Sequence, residues 1–479
     1  MIRNFNRVWA ATMAVVLLTA APSTAQTSAK HAELAGRVRE IVGDYEQQSG
    51  ATVGLCVRSA DGPKLISRHG AETFVPASNQ KLMTAAFAIA ELGDDYSFTT
   101  RVLAKGSDLY VVGGFDPTLG DARIAEEKSE DIYSELDRWS KAAREHFGDR
   151  PVGRIYLAVR KPDGPYRPAG WPAGQHQRWY AAPVAALNFN NNCYGVGFKV
   201  HSSGVIEPRV TPQSRFIRVL NKVKRSSRHV WSMSAAADEL TVTLRGQVST
   251  TTPDPLPVAA NDPPLLLGRV FADRLVRAGV GFDGAFEKVS LEDVPVEAVE
   301  ITRTETPLRT VLDRSNKRSL NMAAECMLLA AGDGTWPGSA SGMRTALQRR
   351  FELPAGVLSV RDGSGLSAGN RVSPEAMVRV LTELARDSGR EVLLSSLAVS
   401  GEDGTLENRL SQSGFRGRVA AKTGYIRGSS CLSGYVLDVD NKPAWVFSIL
   451  VNDVPAGQAW RAKNLQDAIC RELVKALGD

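Results

Sequence analysis

Histidine is scarce in this chain, and its placement excludes more than its number. There are six, and the last is His229. None of the spacings suits a metal ion, so no histidine-based metal centre is expected. A serine nucleophile in the second half cannot find a local imidazole base. Cysteine is sparse as well: Cys56, Cys193, Cys326, Cys431 and Cys470 are scattered, odd in number and without a C-x-x-C pair. That excludes a disulfide framework using all five and a paired-thiolate metal site, and at most two bridges are possible. Buried, small apolar side chains are the expectation. No internal repeat is present, and beyond the first 25 residues no segment is long and apolar enough to span a bilayer. Neither charge sign dominates. The formal charge of +6 and pI near 9.0 fit an acidic partner or an ordinary basic surface equally well. The one dense basic cluster, Lys222, Lys224, Arg225 and Arg228, lies in a Ser-rich stretch and reads as a solvated loop. No nucleic-acid-binding motif accompanies it, so no nucleic-acid partner is expected.

What is present begins with a targeting pattern. Arg3 and Arg7 precede an apolar run from Val8 to Ala21, Pro22 breaks it, and Ser23-Thr24-Ala25 supplies small residues. This reads as a secretory signal over residues 1–25, cleaved between Ala25 and Gln26, giving a periplasmic or otherwise exported protein with no transmembrane segment. At 479 residues the chain should hold more than one domain.

Helical periodicity runs from His31 to Gln48, and alternation over Thr52 to Arg58 predicts a strand. A helix is expected from Ser78 to Leu92, ended by Gly93, and a long charged one from Asp121 to His146. Residues 199–260 read as short β runs with polar turns and a Pro-rich exit. A helix is expected from Pro264 to Ala278, and another after Pro307. Near the end come strands at about Ser430 to Val439 and Ala444 to Val451, then a helix from Gln458 to Leu477. Strand signals near both ends imply an α+β domain assembled from the two ends, with the middle inserted.

Three short motifs carry chemistry. In Ser78-Asn79-Gln80-Lys81 a serine opens a helix and a lysine follows one turn later on the same face. It is the only Ser-x-x-Lys in the chain, and Val75, Leu82, Ala85 and Ala86 give it apolar surroundings. Burial and a second cation would lower the lysine pKa and let it take the serine proton. In Ser319-Leu320-Asn321 a hydroxyl and an amide two residues apart, on a turn before a helix, can both face a cleft. In Lys422-Thr423-Gly424, followed by Tyr425, a strand carries a cation and a hydroxyl, and the bare glycine leaves room for a substrate backbone. Any one of these has a bland structural explanation; together and in this order they form the set found in penicillin-binding proteins and serine β-lactamases.

The chain resembles the class C low-molecular-mass penicillin-binding proteins, the D-alanyl-D-alanine carboxypeptidase/endopeptidase family. Ser78 and Ser319 stand 241 positions apart, as an insertion between the first two motifs requires. Gly113 to Leu119, Tyr180 to Val184, Asp362 to Ser367, Gly401 to Leu406 and Leu432 to Tyr435 extend the likeness over about residues 45–475. The resemblance implies a penicillin-binding/β-lactamase-like transpeptidase domain, an antiparallel sheet with helices, from residues 26–97 and 300–479. Residues 98–299 would be an inserted accessory region of two small domains. It further implies Ser78 as acylated nucleophile, Lys81 as base, Ser319 as proton relay and Asn321 as holder of the substrate amide. Lys422 and Thr423 would take the substrate carboxylate, and the backbone N–H groups of Ser78 and Tyr425 would form the oxyanion hole. Peptidoglycan stem peptides and β-lactam antibiotics are the implied partners, and no cofactor is implied. Two features depart from the family pattern: Tyr425 stands where a small hydroxyl residue is commoner, and Val159-Arg160-Lys161-Pro162 offers no acid before Asp163.

Gly365-Leu366-Ser367-Ala368-Gly369 imitates the nucleophile elbow of α/β-hydrolases, but no histidine follows it. A β-lactamase would need a deacylating glutamate, which the motifs do not place, and a non-catalytic wall-binding module would not need all three motifs.

Overall fold

The computed structural model describes residues 24–282, 284–386 and 389–478. The leader residues 1–23, and with them most of the expected signal peptide, lie outside the described residues. Among the described residues no helix is long and apolar enough to cross a membrane.

The two chain ends meet in one six-stranded antiparallel sheet. Its order is Ala398–Val399, Val419–Ile426, Ser429–Leu437, Pro443–Asn452, Thr52–Ser59 and Lys64–Arg68. Thr52 stands opposite Asn452 and Ser59 opposite Trp445, so the N-terminal hairpin docks alongside the last of the C-terminal strands. The period of two then sorts side chains to opposite faces. Val53, Leu55 and Val57 join Leu432 and Val436 on one face. There they meet Leu34, Val38 and Val42 of helix Thr24–Ser49, spaced four apart, and Leu465, Ile469 and Leu473 of helix Ala459–Lys475. The opposite face, with Cys56, Cys431 and Tyr435, packs on the helices Gln80–Leu92, Asn321–Ala331 and Pro374–Leu384. All nine residues of Ser429–Leu437 are buried, as a strand covered on both faces must be.

The middle of the chain builds separate sheets. A five-stranded mixed sheet has the order Phe286–Val289, Ile155–Ala158, Asp108–Val112, Ser97–Lys105, Val299–Pro307. Its last pair starts with Ser97 opposite Pro307, so pairing carries residues 300–307 with the inserted sheet rather than the catalytic one. Two three-stranded sheets follow within it: Leu256–Ala259, Cys193–Val200, Ile206–Thr211, and Arg218–Arg225, Thr241–Val248, Val230–Ala235. A buried ion pair, Arg314 Nη2 to Asp121 Oδ2 at 2.6 Å, ties the inserted region to helix Leu308–Asn316. Asp116 accepts from Thr306 at 2.7 Å and from the Thr118 hydroxyl at 2.7 Å, holding the strand Val299–Pro307 that leads into that helix.

Several expectations change. The helix expected over Asp121 to His146 is two helices, Ala122–Glu127 and Ser134–Phe147, because Ser129 takes a left-handed φ of 56° between them. The basic cluster is not a loop: Lys222, Lys224 and Arg225 lie on the strand Arg218–Arg225, pairing Lys222 with Arg245, and only Arg228 falls beyond it. Serine content misled there, because the turn residues follow the strand. The first helix starts at Thr24 instead of His31. All five cysteines are buried and free, as small apolar residues would be.

Candidate active site

A short 3-10 turn, Ala77–Asn79, presents Ser78 directly before helix Gln80–Leu92. The turn is tightly held. Ala77 adopts φ 46°, and Gly365, itself at φ 82°, has no room for a Cβ, which would sit 1.8 Å from the Ala77 carbonyl oxygen. Asn79 is fully buried beneath, donating from Nδ2 to the Lys422 carbonyl at 2.6 Å and accepting from Ser433 Oγ at 2.8 Å. The serine turn and the Lys-Thr-Gly strand Val419–Ile426 are thus pinned together.

Lys81, on the first helical turn, is fully buried. Its Nζ contacts Ser78 Oγ at 3.1 Å, Asn321 Oδ1 at 2.7 Å and the Ser364 carbonyl at 2.8 Å. Burial drives its pKa down to about 7, although the carboxylates of Glu325 and Asp362 pull the other way. Near neutral pH it is therefore neutral in a large fraction of molecules, within hydrogen-bond reach of the serine hydroxyl. Asn321 opens helix Asn321–Ala331 and donates from Nδ2 to the Tyr180 carbonyl at 2.6 Å, so the inserted region orients it. Ser319 precedes that helix with φ 58° and accepts from Lys422 Nζ at 3.0 Å. Lys422 is also fully buried, and desolvation, then the nearby Lys81 cation, lower its pKa well below the ordinary lysine value.

The structure thus brings Ser78, Lys81, Ser319, Asn321 and Lys422 into one hydrogen-bonded cluster. Thr423 stands beside it, its hydroxyl 2.9 Å from that of Thr405 in the Gly401 to Leu406 segment. Gly424 is demanded by the fold itself: a Cβ there would lie 2.8 Å from the Pro76 carbonyl and 3.1 Å from Ser78 N. Close packing of the strand on the serine turn thus requires glycine here, beside the expected reason of room for a substrate backbone. The Tyr425 side chain does not join the cluster and is 60% exposed at its edge.

Sequence reasoning gave no role to the loop that supports Lys81. Glu325, fully buried, accepts from Gly363 N at 2.9 Å and Ser364 N at 2.8 Å; burial and the neighbouring Asp362 raise its pKa to about 7. Asp362 accepts from Gly365 N and Ser367 N at 2.7 Å each, from Asn370 Nδ2 at 2.7 Å and from Trp171 Nε1 at 2.9 Å. Burial, opposed by these bonds, raises its pKa. Two buried carboxylates thus shape the turn whose Ser364 carbonyl receives Lys81. Their signal was an acid inside an otherwise apolar helix (Ala323, Ala324, Glu325, Cys326) and a lone Asp before Gly-Ser-Gly. Among the described residues no group of three or more potential metal ligands occurs.

Residues 34–474 match the model of the D-Ala-D-Ala carboxypeptidase 3 (S13) family. The chain belongs to that family. It is 31% identical over 518 residues to the D-alanyl-D-alanine carboxypeptidase of Actinomadura sp. (strain R39), covering 97% of this chain and 89% of that one. To the D-alanyl-D-alanine carboxypeptidase DacB of Haemophilus influenzae it is 25% identical over 422 residues, 82% and 85% of the two chains. The crystal structure of penicillin binding protein 4 (dacB) from H. influenzae superposes with TM-score 0.73 at 21% identity, covering 91% of this chain and 99% of that one. This likeness shows the fold, a penicillin-binding α+β domain carrying inserted sheets. As a member of the S13 family the chain is a serine-type D-alanyl-D-alanine carboxypeptidase.

Proposed function

We propose that this S13 carboxypeptidase cleaves the terminal D-alanyl-D-alanine bond of peptidoglycan stem peptides through an ester on Ser78. Neutral Lys81 takes the Ser78 proton as Oγ attacks the carbonyl carbon, and the positive end of helix Gln80–Leu92 favours the developing charge. The tetrahedral oxygen sits between the backbone N–H groups of Ser78 and Tyr425. Ser319, bonded to Lys422, relays a proton to the departing D-Ala amine, and water then hydrolyses the ester. Asn321 holds the substrate amide, while Lys422 and Thr423 take the terminal carboxylate. The observation that carries the reading is the fully buried Lys81, 3.1 Å from Ser78 with its pKa brought to about 7. β-Lactams, with a carboxylate beside a strained amide, acylate the same oxygen.

The same reading divides the chain into a catalytic unit, residues 26–97 and 300–479, whose residues 300–307 pair into the inserted sheet, and an accessory region of two small domains, 98–299, that supplies the Tyr180 carbonyl to the site. Export after cleavage at Ala25-Gln26 matches a substrate outside the cytoplasm. Labelled penicillin tests the chemistry: the label should survive denaturation of the native chain, and Ser78→Ala should carry none. A labelled Ser78→Ala protein would overturn the assignment.

A further inference from the structure

Between the inserted segment 159–170 and the catalytic segments 329–344 and 360–369 lies a cavity of about 980 Å³. None of Ser78, Lys81, Ser319, Asn321 and Lys422 lines it. Helix Asn321–Ala331 leads from Asn321 at the active site to Leu329 in the cavity wall, about 12 Å at 1.5 Å per residue. The wall holds five cations, Arg160, Lys161, Arg167, Arg344 and Arg361, and no carboxylate. Its apolar part includes Phe115, Leu329, Trp336 and Val360.

These cations are placed by the fold, and none forms a salt bridge among the described residues. Gly334, at φ 78°, lies under Arg160: a Cβ there would be 2.0 Å from Arg160 Cδ. A Cβ on Gly170 would come within 2.8 Å of Ser367 Oγ, so Gly334 and Gly170 let the two parts of the chain close around the space, and one on Gly369 would come within 3.1 Å of Arg361 Cγ in its own segment. Arg167 donates only to carbonyls, those of Ala181, His176 and Ala260 at 2.9, 3.1 and 3.2 Å. Arg344 reaches Ser341 Oγ at 3.4 Å. The Lys161 and Arg361 side chains have no ion-pair or hydrogen-bond partner among the described residues. Arg160 lies near Asp333 and Glu292, and Arg167 near Glu239, all three acids outside the wall. A cavity in the size range of ligand sites, apolar in part and lined by five cations with no carboxylate, favours an organic polyanion.

We propose that this cavity binds a second carboxylate-bearing wall peptide, distinct from the one being cleaved; the ligand class rests on the peptidoglycan reading above. Its wall includes Ser367, from the imitation elbow, in the loop whose Ser364 carbonyl receives Lys81. A ligand there braces that loop while holding the polymer.

The test uses full-length enzyme already acylated by penicillin, so that the catalytic cleft is closed. Calorimetric titration with the soluble disaccharide tetrapeptide should show saturable binding. Arg361→Gln combined with Arg344→Gln, or amidation of the peptide carboxylates, should weaken it at least roughly tenfold, the loss of one charge-assisted contact. Lys222→Gln combined with Lys224→Gln, equal charge removed from the inserted sheet, should leave it unchanged. Absence of binding at millimolar peptide, or equal weakening by both pairs of substitutions, overturns the proposal. Failure of penicillin to add its mass counts against Ser78 instead, and the same variants then decide the cavity on unmodified protein.

Discussion

The strand Ser429–Leu437 and the strand Arg218–Arg225 are nearly equal in length and could hardly differ more in surroundings. The first is buried along its whole length between two layers of helices. The second is the edge of a three-stranded sheet, and only Leu220 and Val223 escape full exposure. The first carries Ser433 beneath Asn79 and so fixes the catalytic turn. The second offers cations to solvent. The contrast teaches where this molecule spends its order: the chemistry sits on elements that cannot move without opening a core, and the inserted sheets leave much of their surface free.

Four experiments sharpen or break that contrast. The largest effect is expected inside the cluster. Lys81→Ala should slow acylation by penicillin by at least ~100-fold, the lower end of general-base catalysis, measured as a second-order labelling rate. An unchanged rate would remove Lys81 from the chemistry. Next, Leu432→Ala should cost about 2–5 kcal/mol in a denaturant titration because it opens a cavity between packed layers, whereas Val219→Ala on the exposed strand should stay within about 0.5 kcal/mol. Equal losses would mean that the two sheets are not held so differently.

A smaller effect belongs to recognition. Amidating the terminal D-Ala should lower kcat/KM by roughly 10- to 150-fold, and Lys422→Ala should erase most of that ratio. Equal discrimination by both proteins would place carboxylate reading elsewhere. The smallest concerns pH. Acylation should rise with pH while Lys81 loses its proton and level off above about 7. Below that value the base is protonated and cannot accept the Ser78 proton. Glu325→Gln removes a charge that favours protonated Lys81, so the rising limb should move to lower pH. Because Lys81 and Glu325 interact, the limb reports the cluster as a whole. A limb that stays in place shows that Glu325 does not set it.

The three motifs, the α+β class and the insertion were legible in the chain alone, because each depends on local pattern. A strand alternates, a helix repeats near 3.6 residues, and Ser78 and Lys81 lie one turn apart on any helix. Boundaries failed where a single residue redirected the backbone, as at Ser129, or where composition mimicked a turn, as at Lys222. What only the tertiary structure decided is which distant groups share a buried space. Burial of Lys81 against Asn321, 240 residues away, turns an ordinary lysine into a base near neutrality. Glu325 and Asp362 come together beneath the Ser364 turn, and the cations on segments 159–170 and 344–361 face one cavity. No local pattern encodes these meetings, since desolvation and charge interaction depend on distance in space rather than along the chain.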